Sequence, residues 1–250
     1  MTPNLIDYST LFYHFTKIET AVFHILPRLQ LKLSPFLSSN DPKETQTFGY
    51  WSIYEDCSDA ERVNIEAAFK NYLKVNLKQL CFSDNYIVRH NKTNWQNCGA
   101  IHPTMWSHYA NNSRGICLGI DKKQFLIDNP SLIAKKVKYV KLLKYPRLDY
   151  QKWQIEKDVY FKKFVLENSK TLLFQKHFHW KSEDETKCIE IGQRDYCTIR
   201  NSLKFVFVGS EHNPDVNLVL KTIIPNHVHV EKINIEDGRL RTLPFYLNNN

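Results

Sequence analysis

The sequence predicts an α+β fold, a β-sheet with flanking helices forming a single domain over residues 1–250, and three observations carry that expectation. Apolar runs with a two-residue period are interspersed with runs at helical spacing, without a regular strand–helix–strand rhythm. With only seven glycines, no glycine-rich phosphate loop appears. The apolar fraction of 42% and charged fraction of 24% are those of a chain that buries a core rather than one that stays disordered.

The elements follow in order. Leu11-Phe12-Tyr13-His14-Phe15 reads as a short buried strand. Ile18, Ala21, Val22, Ile25 and Leu26 then repeat at helical spacing, and Pro27 closes that helix. Leu29, Leu31 and Leu33 alternate with Gln30 and Lys32, the pattern of a half-buried strand. Ser34 through Pro42, with two prolines and an Asn40-Asp41-Pro42 turn, is expected to be a loop. Ser58 and Glu61 form a capping box that starts a helix running to about Lys78.

Farther along, Leu80 to Ser83 is a strand, His102 to Ala110 one or two helical turns, and Gly115 to Ile120 a strand. Val137 to Leu143 is read as a strand and much of Lys152 to Lys176 as one long helix. Strands at Thr186–Ile191, Leu203–Gly209 and His227–Ile235, with a helix after Pro214, complete the sheet.

The net charge of +8 and pI of about 9.1 point to anionic partners. The excess concentrates in Lys135, Lys136, Lys138, Lys141, Lys144 and Arg147, a stretch without one acid. That stretch is either a solvated face or a track for a phosphate backbone, and Tyr139 and Tyr145 interleave it. Six scattered cysteines read as free thiols rather than a disulfide framework. With no apolar run of membrane-spanning length and no leader-like start, a cytoplasmic protein away from membranes is expected.

Four segments concentrate reactive or aromatic residues. His14 on its apolar strand is either a satisfied core residue or a ligand-binding one. Ser34 opens the second segment. Met105-Trp106-Ser107-His108-Tyr109-Ala110 either floors a ring-binding pocket or packs the core. Glu183 and Glu185 lie two apart, so an extended backbone puts both on one face, and their mutual repulsion raises one pKa. Ligand-type residues at His177, His179, Cys98 and His102 complete no metal-binding spacing, and no metal site is expected.

In this order, the segments resemble a bacterial family of unknown function, DUF2971. The resemblance rests on Tyr13-His14-Phe15, Ser34-Pro35 with Asn40-Asp41-Pro42, Met105-Trp106 and Tyr109-Ala110 with Gly115-Ile116-Cys117, and Lys176, Trp180, Glu183 and Glu185. Lys187 stands where the family pattern has arginine, which keeps the charge and loses the planar fork. A looser similarity, a first-strand histidine, a serine after the next strand and a late Glu-x-Glu, is to ADP-ribosyltransferases.

That second resemblance implies a split mixed or antiparallel sheet clamping NAD as substrate. Glu185 would stabilise the developing ribose charge, and Glu183 would orient or deprotonate the nucleophile. His14 and Ser34 would bind the ribose or position the glutamate, and Trp106 and Tyr109 would stack on nicotinamide. The acceptor would be nucleic acid or protein, the setting a bacterial toxin or phage-defence effector, with an antitoxin or immunity protein as partner. The alternative is a non-catalytic module that binds nucleic acid or protein through its basic surface, with the two glutamates merely solvated.

Overall fold

The computed structural model describes residues 7–38, 57–84, 98–143, 146–236 and 239–244. The turn expected at Asn40-Asp41-Pro42, and Lys144 and Tyr145 of the basic stretch, lie outside them.

Chain order runs β1 (Leu11–Thr16), α1 (Ile18–Thr20), β2 (Gln30–Lys32), β3 (Ser34–Pro35), α2 (Asp59–Asn76) and β4 (Leu77–Ser83). It continues with α3 (Pro103–Tyr109), β5 (Ile116–Asp121), α4 (Lys122–Asp128), β6 (Ile133–Lys136) and β7 (Lys138–Val140). Then come α5 (Tyr150–Glu156), α6 (Asp158–Glu167), α7 (Ser169–Leu172), β8 (Gln175–His177), β9 (Glu185–Ile191) and β10 (Tyr196–Thr198). The last are β11 (Leu203–Val208), α8 (Asn217–Ile223), β12 (His229–Glu236) and β13 (Arg239–Pro244).

The architecture is α+β around a mixed sheet, ordered β13-β12-β11-β5-β1-β4-β9-β6, with β3 also on β4. Among the described pairs of this sheet only β11–β12 is parallel. Central strands are covered on both sides. Phe12 of β1 packs in one apolar cluster with Leu118 and Val206, whereas Tyr13 and Phe15 pack in another with Trp106 and Phe207. A third cluster sets α2 and α5–α7 against Leu77 and Ile189 of β4 and β9.

One seam differs from the rest. β1 pairs with β5 along six residues, but with β4 only at Tyr13↔Ser83. Past that point the strands part, and the sheet opens where His14 and Cys81 face each other.

Local sequence explains much of this, and the exceptions are informative. The Ser58–Glu61 capping box forms, with Ser58 N–H donating to the Glu61 carboxylate (2.9 Å). The helix it starts yields to β4 at Leu77, which joins the sheet beside β9. The helix expected through Lys152–Lys176 is three segments: Lys157 takes a positive φ of 50° and turns the chain between α5 and α6, and Asn168 (φ −99°, ψ 13°) separates α6 from α7. The turn lets Trp153 stack on Phe161, ring centroids 5.9 Å apart. The segment read as a loop from Ser34 begins as β3, and the strand read at Val137–Leu143 is the short β7, preceded by β6. All six cysteines are free, and four are buried. Among the described residues no helix is long and apolar enough to cross a membrane.

Candidate functional site

The parted seam opens into a cavity of about 610 Å³. β1 contributes His14, β3 contributes Ser34, α3 contributes Tyr109, and the β8–β9 segment contributes Lys176, Glu183 and Glu185. Residues from both ends of the sequence therefore share one cleft.

Its floor is ionic. Lys176 Nζ lies 3.0 Å from Glu183 Oε2 and 2.5 Å from Glu185 Oε2, and the three side chains are nearly inaccessible to solvent. The Tyr109 hydroxyl donates to Glu183 Oε1 (2.6 Å), and Lys176 also sits over the Trp180 ring (5.6 Å). Lys187, wholly buried, packs against the Phe36 ring and adds a second positive charge to the field at Glu185.

The two glutamates converge by a different route from the one their spacing suggests. Glu183 ends a 3-10 turn, Phe178–Glu183, and only Glu185 is in a strand. Asp184 between them adopts the left-handed conformation (φ 44°, ψ 52°), which brings both carboxylates onto Lys176. Lys136 pins this turn, with Nζ 2.8 Å from both Asp184 Oδ1 and Asp84 Oδ2. Tyr139 supports it from the other side, its hydroxyl accepting the Glu185 N–H (2.8 Å).

The charges follow from this packing. Burial pushes the Glu185 carboxyl up, but Lys187 and Lys176 outweigh it and hold the group below the usual carboxylate range. Carboxylate repulsion was expected to raise one of the two pKa values, and at Glu185 the lysines set the opposite direction. Glu185 Oε1 makes no hydrogen bond of good geometry among the described residues, and the Cys81 thiol stands beside the carboxylate. Burial, followed by the Glu185 charge, raises the Cys81 thiol well above its ordinary range. A neutral thiol is a weak nucleophile.

Burial also lowers the pKa of His14, whose Nδ1 lies 3.4 Å from the Cys81 carbonyl oxygen across the seam. With Nδ1–H donated there, Nε2 of the neutral ring is an acceptor.

Trp106 takes the core-packing role, one of the two expected of its segment, and the described cations of the basic stretch lie at the surface. Trp106 is in the core and not on the cavity wall: it is 1% exposed, packs edge-on against Phe15 and donates Nε1–H to the Ala100 carbonyl (2.5 Å). In the basic stretch, Lys136 is committed to Asp84 and Asp184, and Lys135 lies over the Phe174 ring (5.3 Å). All five described cations of the stretch, Lys138, Lys141 and Arg147 included, are exposed.

Three features of the site do not follow from the sequence. Lys176 belongs to the family motif, but its role emerges only from its contacts with Glu183 and Glu185. Its two partners meet it only through the turn at Asp184, for which the sequence carries no signal. Cys81 and the cationic residues of the α1–β2 segment also line the cleft.

Fold and site together define an α+β protein with a ligand-sized cleft at a parted sheet seam, floored by a buried lysine–dicarboxylate cluster. A family described as "Protein of unknown function (DUF2971)" matches residues 105–188, from α3 into β9. The match supports the family resemblance and contains Tyr109, Lys176, Glu183 and Glu185. Neither the curated proteins nor the solved structures provide a match.

Proposed function

We propose that the protein is an ADP-ribosyltransferase-like enzyme that cleaves the nicotinamide–ribose bond of NAD and transfers ADP-ribose to a nucleic-acid or protein acceptor. Glu185 carries this reading: a carboxylate kept ionised, buried to 3% exposure and lining the cavity, with Oε1 lacking a well-directed hydrogen bond among the described residues.

The chemistry needs such a group. As the glycosidic bond breaks, its electron pair leaves with the nicotinamide nitrogen, which becomes neutral. Positive charge then builds on C1′ and the ring oxygen of the ribose. A fixed carboxylate in a water-poor site stabilises that charge as it develops. Because its pKa is low, Glu185 is a poor proton acceptor, so its contribution is electrostatic.

Glu183 already accepts from Tyr109 and Lys176, which suits a positioning residue that fixes Lys176 and orients the incoming nucleophile. The nucleophile's lone pair forms the new bond to C1′, and its proton leaves to solvent. His14 Nε2 accepts a ribose hydroxyl, Ser34 contacts the sugar, and the Tyr109 ring borders the nicotinamide. A toxin or phage-defence effector neutralised by a partner protein is a biological setting consistent with this activity.

The rival reading, a binding module with solvated glutamates, fits a buried ion cluster less well. Desolvating two carboxylates and a lysine is costly, and a surface binder gains nothing from it.

The test is nicotinamide release from labelled NAD by the purified protein, with and without cell lysate as acceptor source. Glu185→Gln is expected to lower the rate by about 10²–10³ while the far-ultraviolet spectrum stays unchanged. Turnover retained in that variant rejects the assignment.

A further inference from the structure

The cleft has a second pole, opposite in character to its carboxylate floor. His24, Arg28 and Lys32, all solvent-exposed, line the same cavity. They lie four residues apart on the segment that runs from α1 through a π-helical turn, Ala21–Ile25, into β2. Arg28 makes no ion pair or side-chain hydrogen bond among the described residues. Lys32 has only the long-range influence of Asp195, whose ion-pair partner is Lys78.

The backbone between these side chains takes a left-handed turn at one residue. Leu29, buried and not glycine, takes a positive φ of 52°. A left-handed leucine is unfavourable and persists only where its surroundings enforce it. Here the Leu29 side chain packs in the main core, and its carbonyl accepts the Ile199 N–H (2.8 Å). The π-helical turn ends at Ile25, and the left-handed Leu29 closes the turn that leads into β2 at Gln30, with Arg28 and Lys32 both at the cavity.

From this polarity we infer a diphosphate subsite: Arg28 and Lys32, with His24 beside them, take the phosphates of a nucleotide-type ligand whose sugar lies over Glu185. An arginine fork and a lysine point charge on one rim are a natural pair for adjacent phosphate groups. At the floor the charges of Glu183 and Glu185 are offset by Lys176 and Lys187, which leaves no spare positive charge to hold a second anionic group. The ligand is therefore anionic at one end and neutral at the other. This inference deepens the NAD reading and rests on it for the direction of the ligand, but the subsite can be tested on its own.

The experiment is isothermal titration of inorganic pyrophosphate and of ADP-ribose into wild-type protein, the Arg28→Ala/Lys32→Ala double variant and Glu185→Gln. Both positions are exposed, so the double variant should fold as wild type. Pyrophosphate is expected to bind wild type and Glu185→Gln alike, with binding weakened by added salt. The double variant should bind it at least about tenfold more weakly. Equal affinity in wild type and double variant, or no pyrophosphate binding, overturns the subsite. Loss of pyrophosphate binding in the double variant together with no nicotinamide release by wild type upholds the subsite and overturns only the NAD chemistry.

Discussion

Lys176 Nζ lies 2.5 Å from Glu185 Oε2 in a cluster sheltered from solvent, and the same ammonium holds Glu183 at 3.0 Å. One cation thus bridges two carboxylates that the chain brings together by a single left-handed residue, Asp184, and Lys187 adds the second positive charge that balances the pair.

Removing that cation should be costly. Lys176→Met leaves two carboxylates buried with their shared partner gone, and breaking a buried ion pair in this way costs about 3–5 kcal/mol. The urea midpoint is expected to fall accordingly. Adding Glu183→Gln to the same chain should recover part of the loss, because the remaining carboxylate, Glu185, is then balanced by Lys187. A Lys176→Met protein as stable as wild type removes the ion cluster from the account of the fold.

Acid should act through the same groups. At Asp84, burial pushes the carboxyl up, but hydrogen bonds from Lys122, Lys136 and Thr186 outweigh it and leave the pKa lowered. Glu185 is lowered by its lysines. For both, the unfolded chain takes up the proton first, at the ordinary values of 3.8 and 4.5. Their stabilisation is therefore complete above 4.5 and is lost as pH falls through their lower folded values. Urea unfolding followed into the acid range should show a shallower loss in Asp84→Asn and Glu185→Gln than in wild type. Parallel curves contradict the ion pairing.

His14 should stay neutral where an exposed histidine is already half protonated. Burial disfavours its charged form and lowers its pKa from the ordinary 6.5. As pH falls past 6.5 the unfolded chain gains the proton first, so the neutral ring lowers stability only below that value. A proton-carbon NMR titration of the His14 ring is the direct check, with Cys81 O accepting from Nδ1–H. A midpoint at or above 6.5 would mean that a charge inside the cleft compensates for burial.

Some of this was legible in the residues and some was not. The Ser58–Glu61 box and the alternation of Leu31 and Leu33 with Gln30 and Lys32 each stated a local rule that tertiary packing had no reason to override. The gathering of His14 with Glu183 and Glu185 was also readable, as an ordered set of unusual residues. The geometry of that gathering was not. Lysine at position 157 and aspartate at 184 take positive φ with nothing in their neighbours to announce it, so the expected long helix is broken after α5 and an expected extended pair became a turn. In the basic stretch the pairing was not legible for a related reason. Charge is visible in sequence, but the Asp84 that claims Lys136 is 52 residues away.

Trp106 and Tyr109, three residues apart on α3, should separate packing from function. Trp106 is enclosed by Phe15 and gives its indole N–H to Ala100, so it serves the core. Truncating a buried tryptophan to alanine removes a large apolar body and costs about 3–5 kcal/mol. The KM for NAD, measured on the folded fraction, is expected to stay near wild type, since the indole does not border the cavity. Tyr109→Phe keeps the ring and deletes only the hydroxyl that donates to Glu183. A hydrogen bond to a charged group contributes about 1.5–3 kcal/mol, so a modest fall in the urea midpoint is expected. The sharper signature lies in kinetics. With Glu183 less firmly held, Lys176 is free to shift its balance toward Glu185, weakening the field that Glu185 presents to the ribose. Tyr109→Phe should therefore lower kcat for nicotinamide release more than it raises KM. Equal effects of the two substitutions on kcat would mean that α3 acts as one packing unit, and Tyr109 would lose its place in the site.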